Sequence, residues 1–326
     1  MTSTRTAWQI PRYGRPETLT AVTLPMPQPC QKEVLIRIHA SAVTRADGMM
    51  RKGEPLFVRP FLGLRHPRNV LSGTGLSGEV IAIGDKVSRF APGDMVFGVA
   101  GMRFGANASH ICLDEEGVLM PKPEALSHQD AAILSDGVLT SWHYLRTLGQ
   151  VQNGDRVLIL GGAGSLGSAA VQIATAMGAD VTATCSARNV SFVASLGATR
   201  VIDYATEEAL QPGVGYDVIF DTLGVASFSA AKPALVEAGR YLCPVLTLGR
   251  LPAILLSGLV RRKRALFAAA GLEKPQRLRA MLSRILTQID EGRIALVMDR
   301  IYPLSDLVEA HVYVETGHKR GNVVLV

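Results

Sequence analysis

The sequence predicts an α/β protein with two domains, a β-rich domain followed by a doubly wound parallel sheet. The chain has 326 residues, of which 48% are hydrophobic, and this is enough apolar surface for two cores. In the first third of the chain, apolar residues recur with a period near two, as at residues 34–38. After about residue 125, short apolar segments alternate with segments of helical periodicity, which is typical of a parallel sheet.

Composition excludes several classes of protein. The apolar stretch at residues 251–260 is about half the roughly 20 residues that a membrane-spanning helix needs, and residues 1–10 contain no apolar core of a signal peptide. We therefore expect a cytoplasmic protein. The net charge of +6 is modest. We interpret the basic run at residues 261–264 as a solvated face, with a docking patch for an anion or nucleic acid as the alternative.

Cysteine usage argues against a disulfide framework and against a structural zinc lobe. The four cysteines lie tens of residues apart and form no C-x-x-C pair. They are Cys30, Cys112, Cys185 and Cys243.

The first domain is predicted to be a small barrel of antiparallel strands, separated by turn signals. Its strand segments are residues 34–38, 80–83 and 95–100. Residues 54–71 lack clear periodicity, and we interpret them as a loop or lid near a pocket mouth. The tail, residues 301–326, contains a short helix and a terminal strand, and we assign it to the first domain.

The second domain is predicted to alternate strands with helices. The strand segments are residues 156–160, 181–185, 201–202, 217–220, 241–245 and 265–270, and the helical segments are residues 166–177, 190–196, 228–235 and 275–291. The domain boundaries that follow are 1–124 for the first domain, 125–292 for the second, and 293–326 for the returning tail.

The segment from Gly162 to Gly167 fits the pattern G-x-G-x-x-G, between a predicted strand and a predicted helix. We expect Gly162 to permit a tight turn and Gly164 to let the backbone approach a pyrophosphate. Gly167 would let the helix pack against the strand. The amide groups and the dipole at the start of the helix would then stabilise the anion, so the motif predicts a dinucleotide site.

The end of the second strand indicates which nucleotide is bound. An NAD site places a carboxylate about 20 residues after the glycine motif, where it accepts from the ribose 2′-hydroxyl. Here the strand ends without Asp or Glu and is followed by Ser186 and Arg188. A hydroxyl and a guanidinium suit a 2′-phosphate, so we expect NADPH as the cofactor.

With these residues, the chain resembles the medium-chain dehydrogenase/reductase superfamily, and more closely its zinc-independent quinone oxidoreductase branch. The matching segments are residues 11–14, 33–40, 89–98, 195–198, 201–204 and 317–324, the last reading Gly-His-Lys-Arg-Gly-Asn-Val-Val. The resemblance implies a GroES-like β-rich catalytic domain whose pocket faces a Rossmann domain, with the tail returning to the first domain.

The resemblance also implies roles for individual residues. The pyrophosphate would be held by the turn residues Gly161, Gly162, Gly164, Ser165, Leu166 and Gly167. Ser186, Arg188 and Tyr204 would surround the adenosine 2′-phosphate. Thr140, after Leu139, matches a turn whose threonine lies by the nicotinamide, although Val138 stands where the family has glycine.

Departures from the family concern the metal and the substrate pocket. Zinc-dependent relatives have a cysteine ligand at the position of Thr44 and Gly-His-Glu at the position of Gly73-Thr74-Gly75, so no metal is expected. Many quinone reductases have asparagine where Thr44 stands and tyrosine where Met49 stands. Asp47 is expected to pair with a threonine or an arginine.

These residues favour a reductase of electron-poor substrates. Hydride addition to a quinone or an α,β-unsaturated carbonyl places charge on a remote oxygen, so positioning is most of the task. Thr44 and Thr140 are the predicted catalytic residues. The alternatives are a zinc-free alcohol dehydrogenase or ketone reductase, and a non-catalytic NADPH-binding or RNA-binding protein.

The expected partners are a small-molecule substrate and a second copy of the chain. The segment at residues 265–270 is apolar and lies at the edge of the predicted sheet, where it could pair with another chain. Members of the resembling family commonly form dimers by joining such edges. We therefore predict a homodimer, and no membrane or nucleic-acid partner.

Overall fold

The computed structural model of this chain describes residues 3–68, 70–259 and 262–326. The chain divides into two compact units. The first unit is Met1–Asp136, Gly271–Ser283 and Met298–Val326, and the second is Gly137–Ala270 and Arg284–Val297. The chain therefore leaves the first unit after Asp136, within a helical region, whereas the boundary expected from the sequence at residue 124 lies ahead of that region.

The strands of the described residues are β1 (Thr4–Gln9), β2 (Thr20–Pro25), β3 (Glu33–Val43), β4 (Gly75–Ile83), β5 (Met95–Val99), β6 (His110–Asp114), β7 (Val118–Pro121), β8 (Arg156–Leu160), β9 (Asp180–Cys185), β10 (Arg200–Asp203), β11 (Tyr216–Asp221), β12 (Leu235–Leu242), β13 (Arg264–Leu266), β14 (Met298–Tyr302) and β15 (Asn322–Leu325). The α-helices are α1 (Arg45–Lys52), α2 (Arg59–Leu62), α3 (His128–Ile133), α4 (Leu139–Trp142), α5 (Ser165–Ala176), α6 (Val190–Ser195), α7 (Phe228–Ala231), α8 (Leu251–Leu259), α9 (Pro275–Asp290) and α10 (Leu307–Glu315).

Helix α8 occupies most of the apolar stretch at residues 251–260, and residues 260 and 261 lie outside the described residues. The basic run at residues 261–264 therefore falls partly outside them. Within the described residues, none of the helices combines the length and the apolar character needed to cross a bilayer.

The sheet of the first unit has the strand order β14-β15-β3-β4-β5-β7, and β6 also pairs with β3. All neighbouring pairs are antiparallel except β14 with β15. The period-two pattern of the sequence belongs to β3, in which Val34 and Ile36 are fully buried. Because β15 pairs with β3, with Val323 opposite Val43, the tail of the chain joins this sheet.

The sheet of the second unit is parallel throughout and has the strand order β10-β9-β8-β11-β12-β13. The order reverses at β8, which lies between β9 and β11. In open α/β sheets, ligands bind at the carboxyl ends of the strands beside such a reversal. Leu158 and Ile219, on these central strands, are fully buried in the core beneath that end of the sheet.

The helix predicted at residues 228–235 is shorter than expected. Helix α7 ends at Ala231, a single 3₁₀ turn follows at Lys232–Ala234, and β12 already begins at Leu235. Pro233 explains the difference, because proline has no backbone N–H and cannot continue an α-helix. Of the strand expected at residues 241–245, only Tyr241 and Leu242 belong to β12, which ends at Leu242.

The strand predicted at residues 265–270 is β13, which covers only Arg264–Leu266. It lies at the sheet edge as predicted, but the expectation of an open edge is wrong. The Ser257 side chain of α8 accepts from the Ala265 N–H at 2.8 Å and donates to the Ala265 carbonyl at 3.3 Å. The N–H and carbonyl of Ala265 are thus already hydrogen-bonded to a helix. Covering an edge strand with a helix is one way in which natural proteins prevent it from pairing with another chain.

Candidate functional site

The connection from β8 to α5 depends on glycine at two points. Gly161 has a φ of +85°, a left-handed backbone that favours glycine. A Cβ at Gly167 would lie 2.0 Å from the Gly161 carbonyl oxygen, so the start of α5 packs directly on the turn. The tight turn therefore falls on Gly161, and its assignment to Gly162 is wrong. Gly162 instead packs beside the neighbouring core, where a Cβ would meet Ala183 and Val193 at 3.1 Å.

The first turn of α5 faces open space. A Cβ added to Gly164 would have no heavy atom within 4 Å, and this N-cap residue supplies no side-chain hydrogen bond to the helix. The first backbone N–H groups of an α-helix have no partner within the helix. Since α5 has 12 residues, its amino end provides both donors and a positive dipole end that stabilise a phosphate.

A pocket of about 740 Å³ lies beside this turn, at the carboxyl ends of the central strands of the second unit. Gly161 and Thr184 form its floor, and the Thr184 hydroxyl accepts from the Gly161 N–H at 3.1 Å. Three large side chains in its wall have much of their surface exposed, and two of them are apolar. They are Tyr204 at 65%, Leu223 at 37% and Val225 at 71% exposed. Such surfaces suit the flat faces of a nucleotide.

The residues expected near a 2′-phosphate follow β9. Ser186 is the N-cap of a 3₁₀ turn at Ala187–Asn189 that contains Arg188, and the Asn189 amide donates to the Ser186 hydroxyl at 3.3 Å. Arg188 is exposed. Tyr204 is joined to the same strand end, because its N–H donates to the Cys185 carbonyl at 3.2 Å. The structure therefore brings Ser186 and Tyr204 to one end of the sheet, in the same unit as the glycine turn.

Two glutamates that the sequence analysis did not identify also line the pocket. Glu207 forms an ion pair with Arg200, which reduces its charge toward a ligand. Glu208 is exposed. Neither belongs to β9, whose end has the position that would contact a ribose 2′-hydroxyl.

A buried carboxylate shapes the pocket wall that contains Leu223 and Val225. Asp221, at the end of β11, is fully buried. Its two oxygens accept the backbone N–H groups of the loop that follows, at 2.8–3.3 Å. The donors are Leu223, Gly224, Val225 and Ala226. The Tyr241 hydroxyl also donates to Asp221 at 2.8 Å, and Arg250 donates to the carbonyl groups of Gly224 and Ala226 at 2.6 and 2.9 Å.

Thr140 lies in α4, between two π-helical turns at Leu134–Val138 and His143–Leu148. The hydroxyl of the next residue, Ser141, donates to the Leu166 carbonyl at 2.8 Å. This bond holds α4 against the first turn of α5, so Thr140 lies next to the glycine turn. Isolated π-helical turns occur frequently at functional sites.

Thr44 and Asp47 form a capping box at the start of α1. The Thr44 hydroxyl donates to Asp47 Oδ2 at 2.8 Å, and the Thr44 N–H donates to the same oxygen at 2.9 Å. In return, the Asp47 N–H donates to the Thr44 hydroxyl at 3.0 Å. The expected pairing of Asp47 with a threonine is confirmed. Both residues are buried, and burial raises the pKa of the Asp47 carboxyl from 3.8 to about 7, although the hydrogen bonds from Thr44 oppose the rise.

Asp47 also lines a cavity of about 150 Å³ that lies entirely within the first unit. The lining is mainly apolar. Its polar side chains are those of Tyr13, Asp47, Arg68 and Ser72, and Gly73 contributes backbone. The apolar members are Ile10, Met50, Leu62, Pro67, Leu71, Met102 and Phe104. Met50 therefore lines the cavity where the sequence comparison pointed to Met49. The loop interpretation of residues 54–71 holds only in part, since the segment contains α2 and supplies one wall of this cavity.

The predicted catalytic threonine of the first unit has no hydroxyl hydrogen left for a substrate, because Thr44 donates it to Asp47. Thr74 is not part of the cavity wall, although Gly73 is. Across the described part of the chain, no three His, Cys, Asp or Glu side chains are grouped so that they could hold a metal ion.

Known proteins resemble this chain in both of its units. Residues 30–126 match the family described as alcohol dehydrogenase GroES-like domain, and residues 196–325 match the family described as zinc-binding dehydrogenase. The mitochondrial NAD(P)H oxidoreductase RTN4IP1 of Mus musculus is 31% identical over 98% of this chain and 88% of its own length. The chloroplast envelope quinone oxidoreductase homolog of Arabidopsis thaliana is 29% identical over 94% and 93%.

Among solved structures, the quinone oxidoreductase from Coxiella burnetii has the same fold. It superposes with a TM-score of 0.85 and is 29% identical, over 99% of both chains. The similarity therefore extends over both units and includes the glycine turn as well as the cavity-bearing unit.

Proposed function

The chain belongs to the medium-chain dehydrogenase/reductase superfamily, in its quinone oxidoreductase-like branch, and we propose that it transfers a hydride from NADPH to a quinone or an α,β-unsaturated carbonyl without zinc. The main support is the open helix start at Gly164, which would hold a pyrophosphate next to a pocket of about 740 Å³. The names of its relatives, which include NAD(P)H and quinone oxidoreductases, agree with a nicotinamide nucleotide as cofactor.

The residues present fit this nucleotide. A side chain at position 164 would fill the space that a pyrophosphate needs, and glycine leaves it open. Gly161, Gly162, Ser165, Leu166 and Gly167 complete the turn. Ser186, Arg188 and Tyr204 would bind the adenosine end, where the absence of Asp or Glu from the end of β9 favours a 2′-phosphate over a hydroxyl.

When bound, NADPH supplies the hydride, and the protein has to position the acceptor and provide a proton. Addition of a hydride to the conjugated carbon moves an electron pair onto the carbonyl oxygen. We assign the proton to Asp47, which lines the cavity of the first unit. Because both Thr44 donors bind Oδ2, the acidic proton resides on Oδ1. Asp47 donates it to the enolate oxygen and is reprotonated by water.

Thr44 then orients Asp47 and does not itself contact the substrate, which changes the role expected for it. Thr140 remains the residue proposed to contact the nicotinamide. The positions that bind zinc in relatives contain threonine and glycine in this chain, at Thr44 and at Gly73-Thr74-Gly75. Charge on the substrate oxygen is therefore stabilised by hydrogen bonding and delocalisation.

A screen of NADPH oxidation tests the proposal directly. We expect turnover with quinones and conjugated enones, no turnover with saturated ketones or primary alcohols, and no loss of activity with chelators. Turnover of saturated ketones would favour the zinc-free ketone reductase. Nucleotide binding with no turnover of any acceptor would favour a non-catalytic protein, and loss of one zinc per chain together with activity would contradict the metal-free mechanism.

The Arg188→Ala variant tests the choice of nucleotide. A charge-assisted contact to a phosphate is worth about 1.5–3 kcal/mol, or roughly 10- to 100-fold in affinity. We expect the variant to lose most of the preference for NADPH over NADH in equilibrium binding. NADH affinity is the internal control and should stay unchanged. Equal affinity of the unaltered protein for both nucleotides would contradict the proposal.

A further inference from the structure

The cavity of the first unit has a positive charge at its wall. Arg68 lines the cavity and is exposed. Among the described residues, its side chain makes one long hydrogen bond, from Nη2 to the Pro60 carbonyl at 3.3 Å. The sequence contains no Asp or Glu between Glu54 and Glu79. The described residues offer no carboxylate partner to the Arg68 guanidinium, so most of its five N–H donors remain available to a ligand.

Arg59, another arginine of this segment, differs from Arg68 because its guanidinium is occupied by contacts within the protein. Arg59 donates to the carbonyl groups of Gly53 and Lys52 at 3.1 and 3.0 Å. Its guanidinium also lies 4.5 Å from the centre of the Tyr13 ring. The Tyr13 hydroxyl in turn donates to the Gly63 carbonyl at 2.7 Å. These contacts hold Tyr13, which is also part of the cavity wall, in place.

The rest of the cavity has the size and polarity for one ring. Cavities of about 150 Å³ lined by aliphatic and aromatic side chains accommodate a benzene ring, and this cavity has about that volume. Met50, Leu62, Leu71, Met102 and Phe104 supply the apolar contacts. Besides Arg68, the titratable groups of the wall are Tyr13 and Asp47. The Asp47 carboxyl is buried against Thr44.

We infer that the acceptor reduced by this protein is a six-membered conjugated ring that bears an anionic group, with the ring in the apolar cavity and the anion on Arg68. This inference rests on the proposed function for the identity of the reaction, but the binding preference it states can be measured without turnover. A carboxylate, a sulfonate or a phosphate all provide the oxygen atoms that a guanidinium binds through two parallel hydrogen bonds.

Binding of benzoate and benzamide tests the charge preference without any reaction. The two probes share a ring and differ in charge. By ligand-observed NMR, we expect benzoate to bind at least tenfold more tightly than benzamide. The Arg68→Gln variant should remove this difference, because glutamine keeps a donor but no charge. The matched control is Arg65→Gln. Arg65 is exposed like Arg68 and belongs to the same segment but does not line the cavity, so this variant should retain the preference.

Turnover is then compared with cyclohex-2-enone bearing a carboxylate at ring position 5 and with the corresponding carboxamide. We expect Arg68→Gln to raise KM for the carboxylate about tenfold more than it raises KM for the carboxamide. Equal binding of benzoate and benzamide, or an unchanged preference in Arg68→Gln, would overturn the inference even if neutral enones are reduced. A charge preference with no turnover of any acceptor would instead refute the proposed function and leave an anion-binding cavity.

Discussion

At the scale of single residues, the Asp47 carboxyl is both part of a helix cap and part of a cavity wall. A capping carboxylate near the start of a helix is normally ionised, because the helix dipole and the N–H donors favour the charge. Burial opposes this and raises the pKa of Asp47 to about 7. The same side chain can therefore hold the cap through Oδ2 and keep a proton near neutral pH.

This predicts a pH dependence of catalysis that is specific to Asp47. Since the carboxyl loses its proton as the pH rises through about 7, kcat for an enone should fall above that pH. In Asp47→Asn, kcat should be at least tenfold lower and should not vary between pH 6 and pH 8, because the amide retains an acceptor for Thr44 but has no acidic proton. Steady-state rates over this range provide the measurement.

The chain offers a matched control for that experiment. Asp130 makes the same kind of cap at the start of α3, where the Ser127 hydroxyl donates to it at 2.6 Å, but it does not line the cavity. Asp130→Asn should keep the pH profile of the unaltered protein. If Asp47→Asn also keeps that profile, Asp47 is not the proton source.

The stability of the unaltered protein should depend on pH through the same residue. The folded-state pKa of Asp47 lies above its unfolded value of 3.8, so folding favours the neutral carboxyl. The contribution of this group to the free energy of unfolding is therefore greatest below about pH 4 and is lost as the pH rises to about 7. Asp47→Asn removes this dependence.

Some residue roles could be predicted from the sequence and others could not. The pairing of Asp47 with a threonine follows from the three-residue spacing to Thr44, which is the spacing of a capping box. Whether Met49 or Met50 faces the cavity depends on how α1 is rotated about its axis, because successive residues of an α-helix point about 100° apart. The sequence does not specify that rotation. Arg68 has no local pattern, because its role arises from the fold around the cavity.

At the scale of elements, the loop after β11 is held in shape by one buried carboxylate. Asp221 accepts four backbone N–H groups and the Tyr241 hydroxyl. The loop presents Leu223 and Val225 to the pocket of the second unit. A carboxylate has only acceptors, so it matches five converging donors that an amide cannot match.

We therefore expect Asp221→Asn to weaken NADPH binding about tenfold, because the asparagine N–H₂ group faces donors and displaces the loop. Nucleotide titration by fluorescence measures the effect. Asp217→Asn is the control at the opposite end of the same strand, where Asp217 accepts from the Arg156 N–H at 2.9 Å. A nucleotide affinity that is equal in the two variants would show that Asp221 only supports the fold.

The helical elements show where sequence periodicity reaches its limit. The apolar face of α5 predicts that helix well, and Gly178 ends it as expected. The π-helical turns on either side of α4 are not visible in the sequence, because they depend on how Ser141 and Gly137 pack against the first turn of α5. By contrast, the early end of α7 has a local cause that is visible in the sequence, because Pro233 cannot continue an α-helix.

At the scale of the whole molecule, the order of the parallel strands was the most predictable feature. Crossover connections through helices are almost always right-handed, so a series of strand–helix units leads to few possible orders. The reversal at β8 then fixes where a ligand binds. The edge of the sheet was less predictable, because its protection comes from Ser257 in α8, eight residues before Ala265 in the sequence.

That protection changes what we expect of assembly. A homodimer remains the prediction from the family resemblance, but pairing through β13 would require the Ser257 hydroxyl to release Ala265. The segment after the strand is also engaged, because the Tyr144 hydroxyl binds both the N–H and the carbonyl of Ala268 at 3.0 and 2.6 Å. An edge whose backbone groups are satisfied has little to gain from a second chain.

We therefore expect Phe267→Pro to leave the oligomeric state unchanged in light scattering at micromolar concentration, since Phe267 lies beyond β13. Ser257→Ala provides the opposite test, because it exposes the N–H and carbonyl of Ala265 and should increase self-association. A dimer that becomes monomeric in Phe267→Pro would show that the edge does pair between chains. If the unaltered protein is a monomer in the same measurement, the predicted homodimer is refuted.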